Sequence, residues 1–294
     1  MPLAPAQLRS KYYQLYTNSK RLAWDPAAID LSRDRASWEV IKRDHLPERY
    51  DEQILRLLAL FHAGEESVTL TLPPFLGAVA RAGHGLDIEM FLASQLYEEV
   101  KHFEFFARYL REVLGDDAHG MADFVVGAPR AVLLDDLDAI SDRLRRENDR
   151  DVLRPLLVEG VTHYMGVVEA MLARTGYIGA HESLAARGWL PGLQEGFRLI
   201  RRDEGRHVAF GIHFIADQCA ANPDHRGIVH STFERHLPNV LGTIQTFAYE
   251  HPIVDLARLQ TFAIGAFEQF MAAAGLSDDA QSAEELTREL EDVA

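Results

Sequence analysis

Residues 98–102 read Glu98-Glu99-Val100-Lys101-His102, and residues 203–207 read Asp203-Glu204-Gly205-Arg206-His207. Both follow one pattern: acid, Glu, any residue, base, His. In each, a carboxylate and an imidazole stand three residues apart, a spacing that puts both on one face of a helix. Two such helices facing each other would gather four donor side chains in one place.

The flanks carry the helical period. Leu92, Leu96, Glu99, His102, Phe103 and Phe106 predict a helix from about 87 to 114, closed by Gly115. Phe197, Ile200, Glu204, His207 and Gly211 share one stripe of a second helix over 191–220. Upstream, Leu58, Phe61, Glu65, Val68 and Leu72 fall at steps of three and four from about residue 48, until Pro73-Pro74 interrupts them. A further helix is expected from Asp151, with Pro155 in its first turn, to Thr175-Gly176. Leu157, Val161, Tyr164, Val168 and Met171 lie on one side of it; Val158, Met165, Glu169 and Leu172 lie on the adjoining side. Shorter helices are expected at 135–148, 228–249 and 255–274. Residues 67–72 alternate as a strand would, but the three-four spacing runs through them and assigns them to helix. Residues 1–33 read as an irregular arm, with a short helix beginning at 34–38, and 276–294 as an acidic tail. No linker or composition shift divides the chain. The expectation is a single all-α domain over 1–294, a four-helix-bundle core with additional helices.

A buried carboxylate is costly unless it is paired, hydrogen-bonded or metal-bound, yet Glu65, Glu99, Glu169 and Glu204 fall on four apolar faces. Glu65 and Glu99 are 34 residues apart, Glu169 and Glu204 35 apart. The order is Glu, Glu-x-x-His, Glu, Glu-x-x-His. One Glu from each of two helices plus Glu-x-x-His from two others is the ligand set of the di-iron and di-manganese carboxylate bundles. Glu65, Glu99, His102, Glu169, Glu204 and His207 are therefore the candidate metal ligands, with Glu66, Glu98 and Asp203 as alternative carboxylates beside them. Glu98 could also reach His102, four residues on, as an ordinary helix pair. Oxygen donors with one imidazole per ion suit manganese or iron better than copper or zinc.

Composition narrows the partners. The 294 residues include 45 acidic and 30 basic side chains, a formal charge of −15. That argues against a phosphate-binding surface, nucleic acid or an anionic membrane as partner. Cys219 is the only cysteine, which excludes an internal disulfide and fits a reducing, cytoplasmic setting. The first residues lack the apolar run of a secretory signal, and no stretch was expected to form a membrane span.

With six candidate ligands in this order, the sequence resembles the ferritin-like superfamily branch that holds the small subunit of class I ribonucleotide reductase. It is most similar to the ligand-binding oxidases related to that subunit. The resemblance runs from Trp24-Asp25-Pro26 to His207-Val208-Ala209-Phe210-Gly211. It rests on Gly64-Glu65-Glu66-Ser67-Val68-Thr69, on the two five-residue motifs, and on Tyr164 ahead of Val168-Glu169. Where the reductase carries a radical-bearing tyrosine, four residues after its first ligand histidine, this chain has Phe106. The tail has no Tyr, Trp or Phe to pass a radical on. The reductase subunit and a soluble di-iron acyl desaturase remain the alternative enzymes; a storage ferritin is disfavoured by chain length.

The resemblance implies a dioxygen-activating oxidase carrying one Mn and one Fe, or alternatively two Fe. Glu65, Glu99 and His102 would hold manganese, and Glu169, Glu204 and His207 iron, with Glu99 bridging. It further implies an ether cross-link between the Val68 β-carbon and the Tyr164 oxygen, with Asp203 and Trp24 supporting a ligand imidazole. A long-chain fatty acid would lie in an apolar tunnel at the metals, with Phe103, Phe105, Phe106, Met165 and Met171 as candidate lining. A homodimer is expected on the same ground. Tyr164 and Glu169 are five apart, about 140° round a regular helix, so the phenol would have to lean toward the site.

Overall fold

The computed structural model describes residue 5, residues 7–44 and residues 48–277, and every described element is helical. The expected acidic tail lies, from residue 278, outside the described residues. Four helices form the core: α3 (Tyr50–Thr71), α5 (Leu86–Tyr109), α7 (Arg150–Arg187) and α8 (Pro191–Ala221). Around them pack α1 (Lys11–Arg21), α2 (Ser32–Asp44), α4 (Pro73–Ala82), α6 (Asp136–Arg146), α9 (His225–Gln245) and α10 (Leu256–Ala273). As expected, α3 stops short of Pro73 and α5 gives way, after one π-turn, to Gly115 at φ 55°.

Three expectations need correction. The first residues are not an irregular arm: α1 is a regular helix, capped by the Ser10 hydroxyl accepting from Tyr13 N at 3.1 Å. Its buried Tyr12, Leu15 and Ser19 stand at steps of three and four, an inward stripe too narrow to stand out in a polar segment. Tyr12 donates its hydroxyl to Asp217 at 2.6 Å, docking α1 on α8. Second, Thr175-Gly176 does not end α7, which continues to Arg187 and closes at Gly188 with φ 67°. Gly176 is a packing residue, since a Cβ there would lie 3.0 Å from the Phe61 ring. Pro155 accordingly sits just inside the helix rather than in its first turn. Third, α7 is long and apolar enough to cross a membrane by length and composition, but 89% of the relevant window is buried within the bundle.

The start of α8 is fixed from outside. Pro191 occupies the first turn, where its missing N–H costs nothing. The free N–H groups of Gly192 and Leu193 both donate to the carboxylate of Asp34 on α2, each at 2.8 Å. Tyr109, at the end of α5, donates to the same carboxylate at 3.1 Å. Asp34 thus caps a helix almost 160 residues away in sequence and ties α2, α5 and α8 together. Replacing it by Ala should cost on the order of 2 kcal/mol, as a cap and a buried acceptor are lost together. Urea unfolding of Asp34→Ala checks this, and an unchanged midpoint would refute the role.

Candidate metal centre

Each core helix turns one glutamate toward a shared space in the middle of the bundle. All six candidate ligands are at most 4% exposed: Glu65 from α3, Glu99 and His102 from α5, Glu169 from α7, Glu204 and His207 from α8. Glu65, Glu99, His102 and Glu204 form one group with donor atoms within 4.8 Å of each other, and Glu99, Glu169 and His207 form a second. Glu99 belongs to both. Glu204 also reaches both imidazoles, at 3.4 Å from His102 Nδ1 and 3.5 Å from His207 Nδ1. It therefore reaches both groups, whereas the resemblance implies it beside Glu169 and His207.

Both imidazoles turn Nδ1 inward. Their Nε2 atoms face carboxylates of the surrounding shell, His102 on Asp203 at 3.2 Å and His207 on Glu98 at 2.9 Å. A carboxylate accepts, so Nε2 carries the proton and Nδ1 is left as the donor atom for an ion. Glu65 Oε2, Glu169 Oε2, Glu204 Oε2, His102 Nδ1 and His207 Nδ1 are buried without a hydrogen-bond partner. Five orphaned donor atoms around one space are costly in a protein interior and are what a pair of cations would satisfy.

The electrostatics of the chain alone point the same way. Burial opposes charge on His102 and His207, yet the surrounding carboxylates raise both well above the ordinary histidine range. Burial pushes Glu169 well above the usual carboxylate range and Glu65 to about 7. Burial also works against an ionised Glu99, but His207 and His102 outweigh it and hold that carboxyl low. Without metal, the protons shared among these groups supply the positive charge that the carboxylates need.

Trp24 Nε1 donates to Asp203 Oδ2 at 2.7 Å. Lys101 donates to the same oxygen at 2.7 Å. Tyr164 donates its hydroxyl to Glu99 Oε1 at 3.0 Å. Thr162–Ala173 of α7 is π-helical, and an i→i+5 ladder brings residues five apart to the same side. This narrows the 140° offset between Tyr164 and Glu169 that a regular helix would impose.

Sequence reasoning missed Tyr177, whose hydroxyl donates to Glu65 Oε1. It also missed Gln95, whose amide donates to Glu169 at 2.9 Å and Glu99 at 3.3 Å. Gln95 precedes Glu99 by four, a legible signal; Tyr177 lay beyond the expected end of its helix.

An apolar cavity reaches the centre, lined by Leu57, Leu60, Phe61, Val68, Leu172 and Leu259, with Glu65, Glu99, Glu169 and Glu204 also on its wall. The expected lining was wrong: Phe103, Phe105, Phe106, Met165 and Met171 do not line it. Phe106 stacks on Phe61 at 5.9 Å, Phe105 fills the space over Gly196, Met165 packs on Gly211, and Phe103 faces His62. Phe105, Phe106, Met165 and Met171 are buried in the core and Phe103 is half-buried; they sit on α5 and the inner side of α7, whereas the cavity opens between α3, α7, α9 and α10.

A helical bundle with two Glu-x-x-His pairs and two lone glutamates facing one another defines a dinuclear carboxylate protein. The family model for "Ribonucleotide reductase, small chain" matches residues 8–247, and the chain belongs to that family. Solved structures of R2-like ligand-binding oxidase are similar over almost the whole length. A glycine-to-leucine variant with an anaerobically reconstituted Mn/Fe cofactor has TM-score 0.82 and 26% identity, covering 94% of this chain and 96% of its own. A valine-to-leucine variant with the same cofactor has TM-score 0.81 and 27% identity, covering 90% and 93%. A glycine-to-phenylalanine variant has TM-score 0.79 and 25% identity, covering 93% and 96%. Family and site together make the chain a dinuclear metal oxidoreductase.

The raised Glu65 gives a pH test of the metal-free state. Its folded pKa, about 7, exceeds the ordinary 4.5, so between those values the native chain holds the proton that the unfolded chain releases. Stability must then fall as pH rises through that window. Glu65→Gln cannot titrate, and chelator-treated variant should gain on wild type between pH 5 and pH 8, by at most about 3 kcal/mol. Urea unfolding at both pH values reads it; parallel behaviour of the two proteins would refute the assignment.

Proposed function

We propose that this chain is a dioxygen-using oxidase in which Glu65, Glu99, His102, Glu169, Glu204 and His207 hold one Mn and one Fe. Glu99, which belongs to both donor groups, would be shared by the ions, and two Fe are the alternative content. The cavity carries this reading: an apolar channel that ends on four carboxylates fits a long-chain fatty acid, its alkyl chain against Leu57, Leu60, Leu172 and Leu259. An anionic head group would be repelled there by the glutamates alone and becomes acceptable once two cations are bound.

Val68, one turn after Glu65 on the cavity wall, and Tyr164, hydrogen-bonded to Glu99, are the proposed partners of an ether cross-link. The Val68 Cβ–H and Tyr164 O–H bonds break, the C–O bond forms, and two protons and two electrons leave. When bound, the metal pair would supply two further electrons, and dioxygen, taking all four with these two protons and two more from solvent, would become two water molecules. Glu99, whose Oε1 accepts the Tyr164 hydroxyl at 3.0 Å, is the acceptor placed for the Tyr164 proton. Asp203, with Trp24 and Lys101, holds the His102 ring in orientation. Phe106, packed beside the stacked rings of Phe61 and Tyr177, offers no phenol for a stored radical. A homodimer completes the proposal, supported by large exposed apolar side chains on α3 and α5, Leu70, Tyr97 and Val100.

Aerobic loading with Mn(II) and Fe(II) should give about two ions per chain. Peptide mapping should then show the Val68 and Tyr164 peptides joined with loss of two hydrogens, and unlinked peptides would remove the cross-link while leaving the metal site. Val68→Ala should retain both ions and stop the joining, whereas Glu99→Ala should lose proper binding of both. Leu172→Trp should keep the ions but empty the cavity of extractable fatty acid; lipid retained at wild-type level would refute the proposed channel.

A further inference from the structure

The first residue of each motif is as buried as the ligands, yet neither Glu98 nor Asp203 belongs to the groups that converge on the metal space. Helical spacing would pair Glu98 with His102, four residues on in α5. The structure pairs it across the bundle instead, Glu98 Oε2 lying 2.9 Å from Nε2 of His207 on α8. Asp203 of α8 in turn holds Nε2 of His102 on α5 at 3.2 Å. Each acid therefore serves the imidazole of the opposite motif.

We propose that Glu98 is the positioning residue for the ion beside Glu169 and His207, acting on His207 from α5 and leaving the ion beside Glu65 and His102 to Asp203. This deepens the dinuclear reading above and rests on it. Glu98 fixes the proton on His207 Nε2, which directs the Nδ1 lone pair inward. The bases at the fourth motif position make that charge tolerable. Arg206 donates to both Glu98 and Asp203, and Lys101 donates to Asp203, so two buried anions face two buried cations. All four side chains are at most 2% exposed.

The two supports are unequal. Asp203 Oδ2 is shared by Lys101 and Trp24, each at 2.7 Å, besides His102. Among the described residues, Glu98 Oε2 takes only the Ser19 hydroxyl, at 3.4 Å, besides His207, and Arg206 donates to its other oxygen. With fewer donors competing, Glu98 draws more strongly on its imidazole N–H and makes His207 the more electron-rich ligand. The ion beside His207 is the one that depends more on its outer partner.

The test uses Mn(II) alone, soaked at limiting concentration into crystals of the full chain, with occupancy at the two positions read from the anomalous signal. Glu98→Gln keeps the shape but gives up the charge. It should weaken Mn(II) at the position beside His207 by ~10- to 100-fold, the usual loss for removal of such a partner, and change the position beside His102 less. Asp203→Asn should show the reverse pattern. Equal losses at both positions, an unmoved partition, or a greater loss beside His102 in Glu98→Gln would overturn the proposal. Glu98→Asp keeps the charge but withdraws it by one methylene, and the same criterion applies to it if thermal unfolding shows the Gln variant to be unfolded. Two ions in wild type with an unmoved partition sink the role of Glu98 alone; a wild type that binds no metal pair sinks the dinuclear reading and this inference with it.

Discussion

Four glutamates and two histidines in the middle of an apolar bundle set the terms for everything around them. Desolvating that many like charges would be prohibitive without compensation. The chain compensates in layers: Nδ1 atoms and orphaned oxygens face a common space suited to cations, and Nε2 atoms are held by a neutral quartet of Glu98, Asp203, Lys101 and Arg206. Tyr164, Tyr177 and Gln95 donate to the remaining oxygens. A site with its partners fixed in advance loses little by reorganising when ions arrive.

The second constraint is geometric. α7 must present Tyr164 and Glu169 to the same space although they are five residues apart. It does so by running as a π-helix over Thr162–Ala173, a less favourable ladder maintained by packing on every side. The same unbroken helix continues past Gly176, which lets Phe61 close against it and delivers Tyr177 to Glu65. The apolar channel between α3, α7, α9 and α10 is what this arrangement leaves open, with Val68 on its wall.

Much of this was legible in the chain. Steps of three and four placed the four core helices, proline and glycine marked most of their ends, and the repeated Glu, Glu-x-x-His order picked out the six inward side chains. The illegible parts share a cause. The end of α7 was misread because Gly176 serves contact with Phe61, and single-chain patterning cannot tell a packing glycine from a terminating one. The channel lining was misread because aromatic and methionine side chains look alike whether they fill a core or border a void. α1 was missed because three inward residues in eleven leave little periodic signal.

The sequence by itself determined which residue types stand at which helical positions, and hence the all-α bundle and its cluster of acids and histidines, because hydrophobic period and local spacing are properties of neighbours in the chain. Only the tertiary structure decided which acid meets which imidazole, where the channel opens, and that Asp34 caps α8. Those pairings join residues about 100 to 160 positions apart, and their partners are chosen by how helices pack against one another, which no local pattern encodes.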